Sequence, residues 1–366
     1  MGYNSTMRLL FAESSTRGYG TEQHVAALAT AMAKRGHDVR CLVMAGSPVA
    51  TLLQEARVPT ISVRPGRSRG IRITAALLRT TVRQRPEWLI SNDPRFYRML
   101  LAARALTGAR VALFRHWHDA PVRQRTRELL SRRTDRFFLV SRFHREDYRR
   151  QGMSVERASI LYNPIDTERF RPSPASRAEV RTRLGFTADE VVVGYVGRII
   201  AAKGVFTLLD AAGRFLEAEP GARMLWVGDG EDCAALRAAI RATSQASRHH
   251  LLGWEADMPA LYPALDVLAV PSLYPEPFGR VSVEAQAAAV PVISSLAGGL
   301  PETFVPDRTG IGVEPDDSDG LARAMIALAR DPQRRCRMGA AGREWACSRF
   351  SLERIAADFE RLLAGG

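Results

Sequence analysis

Apolar positions along this chain recur at two spacings. Met7–Ala12 (MRLLFA) is a short continuous apolar run, as expected of a strand buried on both faces. A glycine-containing loop follows, and then Val25, Leu28, Ala29 and Met32 recur at helical spacing. Gly36-His37-Asp38 closes that helix, and Val39–Met44 reads as a second strand. Strand, loop, helix, glycine, strand is a βαβ unit. The alternation continues through Trp88–Ser91, Arg110–Arg115, Phe137–Ser141 and Ser159–Tyr162. A Pro- and Arg-rich stretch from Phe170 to Pro174 interrupts it. It then restarts with the strand Val191–Val196, a helix over 205–218 and a strand at Arg223–Val227. Further strands are expected at His250–Leu252, Val267–Val270 and Pro291–Ser294. Right-handed crossovers turn each half into a doubly wound parallel sheet, an α/β fold in two domains. The expected division is 1–170, 171–350, and a C-terminal amphipathic helix in 351–366 that is free to pack back on the first domain. That helix places Leu352, Ile355, Ala356, Phe359, Leu362 and Leu363 on one side.

Composition narrows the class. The chain has 366 residues, 46% hydrophobic and 25% charged. This is the balance of a globular protein and excludes disorder, collagen and coiled coil as the main architecture. Its four cysteines, Cys41, Cys233, Cys336 and Cys347, form no C-x-x-C. A disulfide scaffold and a zinc ribbon are therefore not expected. No apolar run approaches the ~20 residues of a spanning helix. MGYNSTMRLL also lacks a signal-peptide core, so the expected location is the cytoplasm.

Charge is uneven. Residues 1–170 carry 30 Lys+Arg against 14 Asp+Glu, a net of +16, whereas 171–366 carry 22 against 25. Such a field suits an anionic partner: nucleic acid, an acidic membrane surface or an anionic substrate. No RNP, KH or zinc-finger pattern accompanies it, which argues against nucleic acid. The competing explanation is compositional, since 50 of the 52 basic residues are arginine.

The strongest chemical signal is Glu276-Pro-Phe-Gly-Arg-Val-Ser-Val-Glu284. The first carboxylate follows a strand and the second lies in the next helix, with Phe278, Gly279 and Arg280 at the helix N-terminus. Unpaired amides and the helix dipole there suit a phosphate. Were all the intervening residues helical, the carboxylates would lie about 12 Å apart along the axis. That span fits a diphosphate ligand with hydroxyl-rich ends, because carboxylates accept well from vicinal diols. Gly197-Arg198 follows the strand Val191–Val196, and Lys203-Gly204 comes next. Two cations at the carboxyl edge of a parallel sheet suit a diphosphate leaving group. Lys203 is one of only two lysines, the other being Lys34, which points to a need for a compact point charge. Gly253-Trp254 offers backbone or an aromatic face to a nucleobase, or plain packing. Gly228–Glu231 and Gly298–Glu302 read as turns at the same edge. Gly20 lies in a loop, Gly18–Glu22, aimed into the cleft expected between the halves. Arg115-His116-Trp117-His118-Asp119 puts a histidine at a strand end, as donor or base. Spacing does not separate His116 from His118, and the Asp that follows favours His118. Asp317-Ser318-Asp319 has the D-x-D form but reads as a helix N-cap, so no metal site is expected.

Together, Gly18–Glu22, Val140-Ser141, Asn163-Pro164-Ile165-Asp166, Gly197-Arg198 with Lys203-Gly204, Gly228–Glu231 and Glu276-x7-Glu284 resemble glycosyltransferase family four, the group 1 glycosyltransferases of GT-B fold. The resemblance covers nearly the whole chain. It implies two Rossmann-like domains facing a cleft, with a nucleotide diphosphate sugar bound by the second and the acceptor by the first. It implies a retaining transfer to an acceptor hydroxyl, without metal or cofactor. The basic first half adds the expectation of a saccharide or lipid-linked acceptor in envelope or lipopolysaccharide synthesis, handled at the inner face of the membrane through peripheral contact with anionic lipid. By carry-over, Arg198 and Lys203 hold the diphosphate, Glu276 the sugar hydroxyls and Glu284 the ribose diol. Amides around Phe278–Arg280 meet phosphate or sugar, and His118 meets the reacting centre. The chain departs from the family pattern at Tyr19-Gly20 and at Pro164. Two other readings are a sugar-nucleotide epimerase on this scaffold and a non-catalytic binder of anionic polymer.

Overall fold

The computed structural model describes residues 6–15, 20–66, 69–93, 96–116 and 132–365. Continuous apolar runs become fully buried parallel strands, because helices cover both faces of each sheet. The first sheet contains β1 (Arg8–Ala12), β2 (Asp38–Met44), β3 (Thr60–Val63), β4 (Trp88–Ser91), β5 (Arg110–Arg115), β6 (Arg136–Leu139) and β7 (Ala158–Ile160). Its order is β3-β2-β1-β4-β5-β6-β7, and every pairing is parallel. The second holds β8 (Val191–Val196), β9 (Ala222–Val227), β10 (His249–Gly253), β11 (Val267–Val270), β12 (Val292–Ser295) and β13 (Gly310–Val313). Its order is β10-β9-β8-β11-β12-β13, again all parallel.

Each sheet reverses its winding once, at β1/β4 and at β8/β11. Ligands of doubly wound sheets bind outside the carboxyl ends of the strands at such a switch point. The residues 13–15, 92–93, 197–204 and 271–280 occupy those positions.

The chain divides into two compact units, Met1–Pro164 with Leu352–Gly366, and Ile165–Ser351. The C-terminal helix Leu352–Ala364 therefore belongs with the first sheet. Its Ile355, Phe359 and Leu363 join Phe11, Phe114 and Phe138 in one core, with Phe359 and Phe138 rings 5.3 Å apart. Outside that core, His37 Nε2 lies 3.1 Å from Glu360 and Arg136 Nε donates to the Leu362 carbonyl at 2.9 Å. Where the chain leaves and re-enters the first unit, Ile165 and Ser351 pair as a single β-bridge.

Candidate active site

Three strand-to-helix turns of the second unit interlock. After β8, the Gly197 N–H donates to the Val227 carbonyl at 3.0 Å, in a conformation (φ 153°) that glycine permits. The Tyr195 hydroxyl donates to the Arg198 carbonyl at 2.6 Å, which fixes that backbone while the guanidinium stays exposed. Burial, and after it the Glu276 carboxylate, raise the Tyr195 phenol, with Arg198 opposing. Tyr195 thus stays a donor and sits within the field of both site charges.

A single 3₁₀ turn, Ala201–Lys203, carries the lysine forward. Leu273 N–H reaches back to the Ala202 carbonyl at 3.0 Å, so the turns after β8 and β11 are laced together. Lys203 Nζ meets Glu276 Oε1 at 2.8 Å and stands 5.1 Å from the centre of the Tyr274 ring. The turn after β12 closes the arrangement. Gly299 N–H donates to the Glu276 carbonyl at 2.7 Å, and a Cβ on Gly298 would lie 2.4 Å from that same oxygen. Gly298 (φ 64°) is needed there because the Glu276 backbone lies against it.

Beyond Glu276 the run is not helical throughout. Gly279 (φ 113°) is the N-cap and the helix is Arg280–Ala287, so the helical spacing of about 12 Å for Glu276-x7-Glu284 does not apply. A side chain on Gly279 would strike Leu300, 2.4 Å away. Phe278 is buried and packs edge-on to Phe350 with ring centres 5.5 Å apart, so a ligand would meet this segment through backbone. Glu284 is 8% exposed. The hydroxyl of fully buried Tyr262 donates to its Oε2 at 2.9 Å, and Arg280 Nε to its Oε1 at 3.1 Å. Burial and then the Glu284 charge push the Tyr262 phenol well up, so it remains a donor.

Tyr262 carried no sequence signal, being one aromatic in an apolar helix. Tyr262→Phe leaves a charged acceptor short of one donor. The expected cost is about 1.5–3 kcal/mol of stability, read by denaturant unfolding. A loss below about 0.5 kcal/mol would mean that Arg280 alone satisfies Glu284.

Gly253 (φ 81°) ends β10, its carbonyl accepting from Gly228 N–H at 2.7 Å, and Trp254 beyond it is 77% exposed. Asp317 caps the helix Ser318–Arg330 by accepting from Gly320 N–H at 2.7 Å, as its spacing suggested.

In the first unit the β1/β4 switch carries buried polar groups. Ser14 Oγ donates to Asp93, and Ser15 N–H donates to Glu13 at 2.7 Å. The buried His24, from the helix Gly20–Lys34, lies ring to ring 4.7 Å from His116, the first residue past β5. Gly20 begins that helix. His118 lies outside the described residues, as do Gly18 and Tyr19. Glu13, His24 and Asp93 were not singled out from the sequence. The position of Glu13 directly after β1, and of Asp93 two residues after β4, is the signal that would have found them.

Comparison with known proteins agrees with this architecture. Residues 19–169 match the family description Glycosyltransferase Family 4, and residues 176–345 match Glycosyl transferases group 1. The GDP-mannose-dependent alpha-(1-6)-phosphatidylinositol monomannoside mannosyltransferase of Mycobacterium tuberculosis is 35% identical over 283 residues, 73% of each chain. The chain belongs to glycosyltransferase family 4. Another similar protein is the lipopolysaccharide core biosynthesis glycosyltransferase LpsE of Rhizobium meliloti, 33% identical over 50% of this chain and 53% of that protein. Among solved structures, Anabaena HepE in complex with UDP superposes with a TM-score of 0.84 at 23% identity, covering 98% of this chain and all of that one. The fold of this family 4 glycosyltransferase is GT-B, two Rossmann-like parallel-sheet domains.

Proposed function

We propose that this glycosyltransferase moves a sugar from a nucleoside diphosphate sugar to a hydroxyl of a saccharide or lipid-linked acceptor, with retention of configuration. The observation that carries the reading is the Lys203–Glu276 pair beside exposed Arg198 at the β8/β11 switch. Arg198 and Lys203 take the diphosphate, Glu276 the sugar hydroxyls, Glu284 the ribose diol, and the amides at 278–280 a phosphate or sugar oxygen. Two cations, Lys203 held by Glu276 and Arg198 exposed beside it, stabilise charge as it develops on the leaving diphosphate, which is the service a divalent metal would otherwise give. The C1–phosphate oxygen bond breaks and the bond from C1 to the acceptor oxygen forms on the same face. The acceptor proton passes to the departing phosphate oxygen, so no side-chain nucleophile is required. Trp254 offers an exposed ring for the base. The acceptor belongs to the first unit, near Glu13, His24, Asp93 and His116. The relatives named for a phosphatidylinositol monomannoside and for lipopolysaccharide core support a lipid-linked or envelope acceptor.

The test is a thermal-shift screen of UDP-, GDP- and ADP-sugars, followed by transfer to a candidate acceptor with the product anomer read by NMR. One nucleotide class should raise the melting midpoint, since a ligand that binds only the folded state stabilises it. An inverted product overturns the retaining assignment. Conversion of the donor alone to an isomeric sugar would favour an epimerase.

A further inference from the structure

The turn after β9, Gly228–Asp232, leads into the helix Cys233–Arg241 and lies against the loop 197–204 that carries Arg198 and Lys203. The approach is close enough to exclude side chains at two positions. A Cβ on Gly228 would stand 1.9 Å from the Gly197 carbonyl oxygen, and one on Gly230 2.3 Å from that of Ile199. Ile199 N–H donates to the Asp229 carbonyl at 3.0 Å, and Asp232 N–H donates to the Ile199 carbonyl at 3.0 Å. These contacts are backbone to backbone. Asp232 adds one that depends on its side chain: its Oδ2 accepts from Ala201 N–H at 2.6 Å.

Two features set this contact apart. Asp232 is the N-cap of the helix Cys233–Arg241, where a carboxylate ordinarily accepts from an N–H of its own first turn, yet it makes no such bond. Ala201 opens the 3₁₀ turn Ala201–Lys203, whose own N-cap is Ile200, a residue with no side-chain acceptor. Asp232 thus leaves its own helix without a side-chain cap and caps the turn that bears the lysine. Inside that turn Lys203 N–H donates to the Ile200 carbonyl at 2.9 Å and Gly204 N–H to the Ala201 carbonyl at 2.8 Å. So short a 3₁₀ segment is weakly held by its own bonds, and contacts from outside decide where it points. Among the described residues, two side chains hydrogen-bond to the backbone of 197–204: Tyr195 at Arg198, and Asp232 two residues before Lys203.

We propose that Asp232 is a positioning residue for transfer. By capping Ala201 it sets the 3₁₀ turn, and through the turn it sets the Lys203 ammonium 2.8 Å from Glu276. The inference rests on the proposed role of Lys203 at the diphosphate. A group that stabilises developing charge must be held in place before the reaction, so freedom in the turn appears in kcat more than in KM.

The experiment is steady-state kinetics of the full chain on the nucleotide sugar that raises its melting midpoint, with Asp232→Ala, Asp232→Asn, Lys203→Ala and the double variant Asp232→Ala with Lys203→Ala. Asp232→Ala is expected to lower kcat about tenfold, with KM for the nucleotide sugar changed less than about twofold. The melting midpoint should move by no more than a few degrees, since the helix Cys233–Arg241 loses no side-chain cap. Asp232→Asn, whose amide oxygen can accept the same N–H, should return turnover to within about threefold of wild type. Adding Asp232→Ala to Lys203→Ala should cost less than about a further twofold, because the lysine it positions is already gone. Turnover of Asp232→Ala within about twofold of wild type beside a crippled Lys203→Ala would overturn this proposal alone. Losses that multiply in the double variant would overturn it as well. Wild-type turnover in Lys203→Ala would remove the donor reading and this inference with it.

Discussion

Lys203→Ala is expected to lower turnover about 10²–10³-fold, with the melting midpoint moved by only a few degrees. Two effects act in the same direction. On the proposed reading, the diphosphate loses a cation at the moment its charge develops. Glu276, whose side chain is only 12% exposed, also loses the ammonium 2.8 Å away that holds its carboxylate in place. Lys203→Arg rescues only in part. The planar guanidinium is longer and needs a fork of acceptors, whereas the site presents one Glu276 oxygen and the Tyr274 ring. Steady-state kinetics with the nucleotide sugar identified by thermal shift decide the matter. Turnover within about threefold of wild type would remove Lys203 from the reaction. A large fall confined to KM, with kcat unchanged, would make it a binding residue only.

The largest structural effect is expected at Gly204. This residue sits at φ 70°, and a Cβ there would stand 1.9 Å from the Pro271 carbonyl oxygen. The obstacle is backbone, at the point where the turns after β8 and β11 touch, so no side-chain rotation relieves it. Gly204→Ala combines left-handed strain with overpacking and is expected to cost about 3 kcal/mol or more. It also drives Lys203 off Glu276, so stability and turnover fall together. Gly36→Ala is the control. Gly36 has a similar φ of 90°, but a Cβ there would meet nothing within 4 Å, so only the conformational cost of about 1 kcal/mol applies. Equal losses at the two positions, measured by chemical denaturation, would show that conformation and not contact governs Gly204.

Much of this fold was legible along the chain, and the exceptions have a physical reason. The strands at Trp88–Ser91, Arg110–Arg115, Val191–Val196 and Val267–Val270 lie where the apolar runs placed them. Those strands lie inside their sheets with helices on both faces, so their central residues are apolar and form an unbroken run. Thr60–Val63 and Gly310–Val313, β3 and β13, were not anticipated. Both are edge strands. Thr60, Ile61 and Ser62 are only partly covered or exposed, and Gly310 and Gly312 carry no side chain to mark a pattern. In the site, Arg198, Lys203 and Glu276 could be picked out because glycine and charge follow a buried strand directly. Tyr262 could not, because its hydroxyl finds Glu284 across the fold from a helix whose other residues are ordinary core.

The sequence by itself determined the alternation of strand and helix, the doubly wound class, the chemistry-bearing turns and the uneven charge. All of these depend on neighbours in the chain, through hydrophobic period and glycine placement. Only the tertiary structure decided that Lys203 pairs with Glu276, that Gly298 exists to admit the Glu276 backbone, and that the last helix covers Phe11 and Phe138. It also decided that Ile71 and Val82 of the helix Arg69–Gln84 stay exposed while Ile73 and Leu77 enter the core. These depend on residues far apart in the chain that meet when the sheets close, and an apolar period shows only that a face must be covered, never by what.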